Sequence, residues 1–311
     1  MLILQKSQCM GYSKKLLSLF IALIFLFACE NSEKNLIPEA LENNYENTRQ
    51  LSQEFKDYWY NGEAEITSYS LKQERYGELR DGHAVSIFVT EDFLPKAQVK
   101  ANGPSENNIP VMKLNQTKKY TTGIYPYSVM TSTFSPVSLA SHAVKVSHSM
   151  QEWCGHVYVQ LNNENPYYEV QLHSYFEGEA DQKLSLTKTW MEDELWNLIR
   201  INPDELPTGD ISIIPSFEFF RMSHQEIKAH NAYGKLMQGD SISSYTLAYE
   251  GLKRELTIYF TSTFPYAIER WEEIHPNGLK SSAEKLKRIK SDYWTKNSTE
   301  FEYLRDTLLL K

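Results

Sequence analysis

Cys154 and His156 stand two residues apart in Glu152-Trp153-Cys154-Gly155-His156, a thiol beside a base. Thiol catalysis needs a nucleophile, a base within reach and a third group to orient the base. The neighbouring sequence supplies no such third group. It reads more simply as a small apolar Cys154 buried beside Trp153 on a strand. His142, His148 and His156 are six and eight apart and could converge on a metal only across two strands. Even spacing puts His142 and His148 on one face only if the strand is unbroken. Metal sites are usually tighter and include a carboxylate or Cys, so no metal is expected. His224 and His230 read as polar residues on exposed strand faces. Glu192 with Glu194, and Glu272 with Glu273, are pairs that could serve as acid and base. Among 40 acidic residues they read as solvated surface, and acids in a first helical turn already answer the helix dipole.

No Walker or Rossmann glycine loop, Gly-x-Ser-x-Gly elbow, His-Glu-x-x-His helix, Ser-x-x-Lys motif, Cys-x-x-Cys pair or EF-hand loop is present. No cofactor is therefore expected.

The elements that would position these residues follow from periodicity. Leu41, Tyr45, Thr48, Leu51, Phe55 and Tyr58 recur every three or four residues and predict a helix from Leu36 to about Tyr60. From Gly62 the period becomes two. Strands are expected at Ile66–Glu74, Ala84–Thr90, Gln98–Ala101, Val111–Leu114, Tyr120–Thr131, Ala143–Gln151, Val157–Leu161, Tyr168–Tyr175 and Leu184–Trp190. A helix follows from Glu192, with Leu195, Trp196, Leu198 and Ile199 as its apolar face and Asn202-Pro203 as its stop. Further strands are expected at Ile211–Ile214, Phe217–Met222, Ile227–Met237, Ser244–Glu250, Glu255–Ser262 and Ala267–Glu273. Ala283–Tyr293 fits either a strand or a helix, and Thr299–Leu310 a short terminal helix. Strand follows strand without the helices that a parallel sheet would need. The fold expected is mainly β, with α+β as the alternative: a large curved antiparallel sheet or open barrel with short flanking helices.

Length and composition agree. The chain has 311 residues, 13% of them aromatic and 23% charged, which excludes a disordered or collagen-like chain. Three Cys exclude a disulfide scaffold. A net charge of −8 argues against nucleic acid as a partner.

The N-terminus reads as an address. Lys14-Lys15 precede an uncharged apolar run from Leu16 to Ala28, too short to span a bilayer but suited to a secretory signal. The run ends Leu26-Phe27-Ala28-Cys29, which resembles a bacterial lipobox, with a small residue before the Cys that takes the lipid. The expected organisation is a lipoprotein signal peptide at 1–28, a polar tether at 29–36 and a single antiparallel β-rich domain at 37–311. Cleavage before Cys29 would remove Lys6, Lys14 and Lys15 and no acid, shifting the net charge from −8 to −11.

The lipobox, Asp57-Tyr58-Trp59-Tyr60-Asn61-Gly62-Glu63-Ala64-Glu65-Ile66, Tyr127-Ser128-Val129-Met130-Thr131-Ser132 and Glu152-Trp153-Cys154-Gly155-His156-Val157 resemble segments of envelope lipoproteins of Bacteroidota, a family some of whose members carry the label "septum formation inhibitor Maf". The resemblance covers nearly the whole chain and brings no active site. It implies three acyl chains on Cys29, enough for stable anchoring. Maf nucleotide pyrophosphatases begin with a Ser-x-Ser-Pro-Arg-Arg loop, which is absent here. Asp240-Ser241-Ile242 and Asp306-Thr307-Leu308 match the Asp-Ser/Thr-apolar pattern of O-linked glycosylation in the same phylum, marking Ser241 and Thr307.

The expectation is a cell-envelope protein, lipid-anchored at the outer membrane on its periplasmic face or at the cell surface. Its role reads as non-catalytic binding of an apolar ligand, a glycan or an envelope protein, with Tyr125, Tyr127, Tyr167 and Tyr168 as candidates to line a rim. The alternatives are an envelope hydrolase and a structural component of an outer-membrane assembly.

Overall fold

A computed structural model describes residues 48–310. The signal run, Cys29, the tether and the first part of the predicted N-terminal helix lie outside the described residues. Among the described residues sixteen strands form one large sheet that does not close. In chain order these are β1 (Ala64–Arg75), β2 (Glu78–Leu94), β3 (Val99–Lys100), β4 (Ile109–Thr122), β5 (Tyr125–Pro136), β6 (Lys145–Glu152), β7 (Gly155–Asn163), β8 (Tyr167–Ser174) and β9 (Gln182–Thr187). Then come β10 (Trp190–Met191), β11 (Gly209–Ile214), β12 (His230–Met237), β13 (Ile242–Tyr249), β14 (Arg254–Thr261), β15 (Ile268–Ile274) and β16 (Lys280–Ser291). The helices are α1 (Gln53–Trp59), α2 (Glu192–Ile201), α3 (Phe217–Ser223) and α4 (Tyr303–Thr307).

The sheet is two meanders joined at their outer strands. β1 pairs with β16, so the order runs β10 to β16, then β1, β2 and β4 to β9, with β3 on β2. All pairs are antiparallel except β10 with β11. The two edge strands, β9 and β10, are separated in sequence only by Lys188 and Thr189. Three Cα steps of 3.8 Å span at most about 11 Å. The sheet must therefore curl until its edges nearly meet at that link, which forms a seam. The mainly β, curved, open sheet expected from periodicity is the observed fold.

The curl gives the sheet an inside. Along β4 the even positions Met112, Leu114 and Tyr120 join the largest core cluster, as do Tyr69 and Leu71 of β1 and Leu256 and Ile258 of β14. α2 fills the interior, burying Leu195, Trp196, Leu198 and Ile199. Each such side chain is worth about 1.5–3 kcal/mol of transfer free energy. On the outer face, Leu308 beyond α4 packs against Ala64, Ile66, Val85 and Val89.

Several expectations need correction. The N-terminal helix is short: Ser52 caps it, its Oγ accepting from Phe55 N at 3.0 Å, and residues 48–51 are not helical. Tyr120–Thr131 is two strands, because Gly123 takes φ +57° and turns the chain. Phe217–Met222 is α3 rather than a strand. Ser216 Oγ accepts from Phe219 N and Asp193 Oδ2 from Phe217 N, so local caps override the aromatic pattern. Ala283–Tyr293 resolves as strand β16, Lys280–Ser291.

Candidate functional site

α2 carries the chemistry of the interior, on side chains that sequence reasoning placed at the surface. Glu192 and Glu194 are buried, not solvated. Glu192 accepts from both terminal nitrogens of Arg254 and from Tyr249 Oη at 2.7 Å. Arg254 Nε reaches Glu273 at 2.6 Å, so Glu273 too is engaged within the fold. At the other end of α2, Arg200 lies fully buried between the rings of Trp59 and Phe88 and pairs with both oxygens of Glu65 at 2.7 and 2.8 Å. Burial alone would raise the Glu65 carboxyl, but Arg200 holds it down at about 2. Asn197 donates to the carbonyls of Met112 and Thr133 and to Ser135 Oγ, tying the helix to β4 and β5.

Glu194 faces the seam. Its Oε2 accepts from Ala143 N at 2.6 Å, and its Oε1 from Met191 N at 3.0 Å and from His142 Nδ1 at 2.8 Å. Burial disfavours the His142 imidazolium, yet the Glu194 charge outweighs it and raises the pKa. Trp190 packs edge-on to His142 at 5.0 Å. Around these groups lies a cavity of about 610 Å³, at the end of the sheet where its edges converge. Leu198, Ile201, Val144 and Pro136 make its apolar floor, and Arg49, His142, Asn163 and Lys188 its polar wall. The described chain enters beside it, where Thr48 bridges Leu139. Arg49 spends its guanidinium on Glu205 and on the carbonyls of Pro136, Val137 and Leu139. Ser141 Oγ, also in the lining, is buried and makes no hydrogen bond. His142 and Glu194 thus form a base with its orienter, but among the described residues no hydroxyl donates to that base.

A second cavity of about 250 Å³ lies at the opposite end, under α3, among Arg75, Gln116, Lys118, Trp196, Trp271 and Glu273. Its cations are engaged within the fold: Lys118 pairs with Glu218 at 2.8 Å, Arg254 with Glu192 and Glu273, and Arg75 donates to Met222 O and to the hydroxyls of Tyr127 and Tyr76.

The other sequence candidates scatter. Cys154 sits exposed in the β6–β7 turn, not buried on a strand, because Glu152 Oε2 accepts its backbone N–H at 2.6 Å and closes the hairpin. The same carboxylate raises the thiol pKa, by hydrogen bond and by charge. Thiol-specific alkylation of the folded protein is therefore expected to go to completion, faster at pH 9 than at pH 7 and without loss of fold. A Cys154 that resists labelling until urea is added would contradict the exposed turn. His148 is buried, with Nδ1 at 2.9 Å from Thr131 Oγ1, while His142 precedes the strand and bonds Glu194. The three histidines therefore do not converge. His224 caps α3 at φ +53° and accompanies Glu179, which corrects its placement on a strand. Of the four rim tyrosines, Tyr127 and Tyr168 are core residues instead. Tyr127 stacks on Tyr120 at 4.9 Å, and Tyr168 donates to Thr189 O at 2.8 Å. Tyr125 and Tyr167 begin β5 and β8, at opposite ends of the sheet. Ser241 is exposed between β12 and β13, and Thr307 is exposed on α4.

Four hairpin tips at the end away from the seam carry the most exposed large apolar side chains among the described residues. These are Tyr76 (59%), Ile124 (81%), Trp153 (68%) and Tyr175 (75%).

The class of protein that these features define is an open, curled antiparallel sheet plugged by a charged helix, with a cavity at its seam. No family model matches the chain, and no curated protein or solved structure proved similar to it. Among the described residues no helix is long and apolar enough to cross a membrane, which leaves β-barrel spans unaddressed.

Proposed function

We propose that this is a lipid-anchored cell-envelope protein, held through Cys29 at the outer membrane, whose body is a non-catalytic binding module for an apolar ligand. The observation that carries the reading is the seam cavity. Its volume of about 610 Å³ lies within the range of about 300–1,000 Å³ typical of small-molecule sites, and its lining joins an apolar floor to a few polar groups. Half of the floor, Leu198 and Ile201, comes from α2, which buried ion pairs hold in place, so the site is preformed. The hydrolase alternative would use His142 and Glu194 as base and orienter, with Ser141 as nucleophile. The absence of a Ser141–His142 hydrogen bond weighs against it.

The test fills the cavity from its open side. Ala140 lines it and is exposed, so Ala140→Trp adds bulk without entering the core. An apolar, environment-sensitive fluorophore is expected to bind the residue 37–311 body and to bind Ala140→Trp at least tenfold more weakly. Equal binding by both proteins would place the ligand elsewhere.

The four apolar hairpin tips favour a second reading, in which the end opposite the seam contacts an envelope partner. A single exposed apolar side chain needs no explanation, but Tyr76, Ile124, Trp153 and Tyr175 on adjacent hairpins form a patch. Cys154 lies beside Trp153, so a bulky maleimide there is expected to abolish such a complex while leaving cavity binding intact.

A further inference from the structure

One cation in the lining of the seam cavity has no partner among the described residues, and it identifies the polar end of a ligand. Arg49 is matched by Glu205, and its remaining nitrogen by three carbonyl oxygens. His142 is matched by Glu194. Lys188, also in the lining, makes no hydrogen bond or ion pair with any described residue; Glu164 is the one acid whose charge it feels, without contact. Its backbone is nevertheless fixed. The adjacent Thr189 accepts from Tyr168 Oη at 2.8 Å and donates from Oγ1 to Ser212 O at 2.6 Å, so both margins of the sheet grip the two-residue link. The cavity thus offers one unmatched cation at its wall and an apolar floor of Leu198, Ile201 and Val144.

We infer that the seam cavity takes an amphiphile with a single acidic headgroup, its chain on the apolar floor and its anion on Lys188. This rests on the reading of the cavity as a binding site. A partly buried cation gains more from an anion than an exposed one does, because the surroundings screen less. A neutral amphiphile would leave Lys188 unmatched, and a dianion would bring one charge too many. A carboxylate and a phosphodiester share the required chemistry.

The test compares three probes of equal chain length on the full-length protein: oleate, oleoyl-lysophosphatidylglycerol and monoolein. Each is measured by displacement of a bound fluorophore, below its critical micelle concentration. At least one of the two anions is expected to bind tenfold or more tightly than monoolein, and the tighter anion identifies the headgroup. Lys188→Gln is expected to erase that preference and leave monoolein unchanged. A preference that survives Lys188→Gln, or monoolein binding as tightly as both anions, would overturn the headgroup inference while keeping the cavity reading. Failure of all three probes to bind would overturn both. Lys188→Arg separates charge from fold: it is expected to retain the preference for the anion.

Discussion

Replacing Arg200 with methionine is expected to destabilise the protein by about 3–5 kcal/mol, the cost of stranding one member of a buried ion pair. Arg200 is fully buried, and Glu65 receives both of its terminal nitrogens. Removing the guanidinium takes both of these bonds from a Glu65 side chain that is itself buried. Arg288, 3.4 Å away, and Tyr58 are its remaining partners. The double variant Glu65→Leu/Arg200→Met removes both charges and is expected to recover most of the loss, since a well-packed apolar pair often matches a buried ion pair. Urea midpoints of the two variants check this. A loss below about 1 kcal/mol for Arg200→Met would mean that water reaches the pair.

His148→Gln is expected to change how stability depends on pH. Burial, followed by the charges of Lys118 and Arg221, lowers the His148 pKa from 6.5 to about 3. The folded protein thus holds His148 neutral while the unfolded chain protonates it. That contribution is complete above pH 6.5 and is lost as pH falls towards 3. Between pH 7 and pH 5 the loss is about 2 kcal/mol. Asp193, raised by burial and by Glu192 to about 7, acts in the opposite sense over the same range. The His148 effect is therefore read as a difference. Relative to wild type, His148→Gln should gain about 2 kcal/mol on going from pH 7 to pH 5. Glutamine can still hydrogen-bond Thr131, so the variant keeps the local contact. Parallel pH profiles for the two proteins would show that His148 is hydrated.

The β architecture was legible because alternation survives in most strands. In β7 and β8, Val157, Val159, Leu161, Val170 and Leu172 are buried at every second position, as the sequence indicated. Register across the turn at Gly123 was not, because between Lys118 and Ser128 the only aliphatic residue, Ile124, sits exposed in the turn and only the left-handed glycine marks the break. α3 was misread because Phe217, Phe219 and Phe220 suit a strand, whereas the caps that decide the matter come partly from Asp193, 24 residues away.

The site was hidden for a related reason. Glu192 and Glu194 look like dipole-matching surface acids until the curl of the sheet brings Arg254 and His142 to them, across 62 and 52 residues. Glu65 and Arg200 are separated by 135 residues, and no local pattern links them. The seam was hidden as well, because the strand expected over Leu184–Trp190 runs through the link that the structure opens there. Lys188-Thr189 is a two-residue polar link between a strand ending at Thr187 and a strand-plus-helix starting at Trp190. A connection that short between opposite edges of a long sheet forces the seam, and with it the cavity. Tyr127 and Tyr168 were placed on a rim by residue type alone, although each lies on an inward-facing alternate position.

Mass spectrometry under non-denaturing conditions, on the full-length protein extracted from its own envelope, tests the central claim most directly. The seam-cavity account predicts one acidic amphiphile per protein molecule on the wild type, lost in Ala140→Trp. A wild-type protein that carries no ligand, or an amphiphile retained equally by Ala140→Trp, would contradict it.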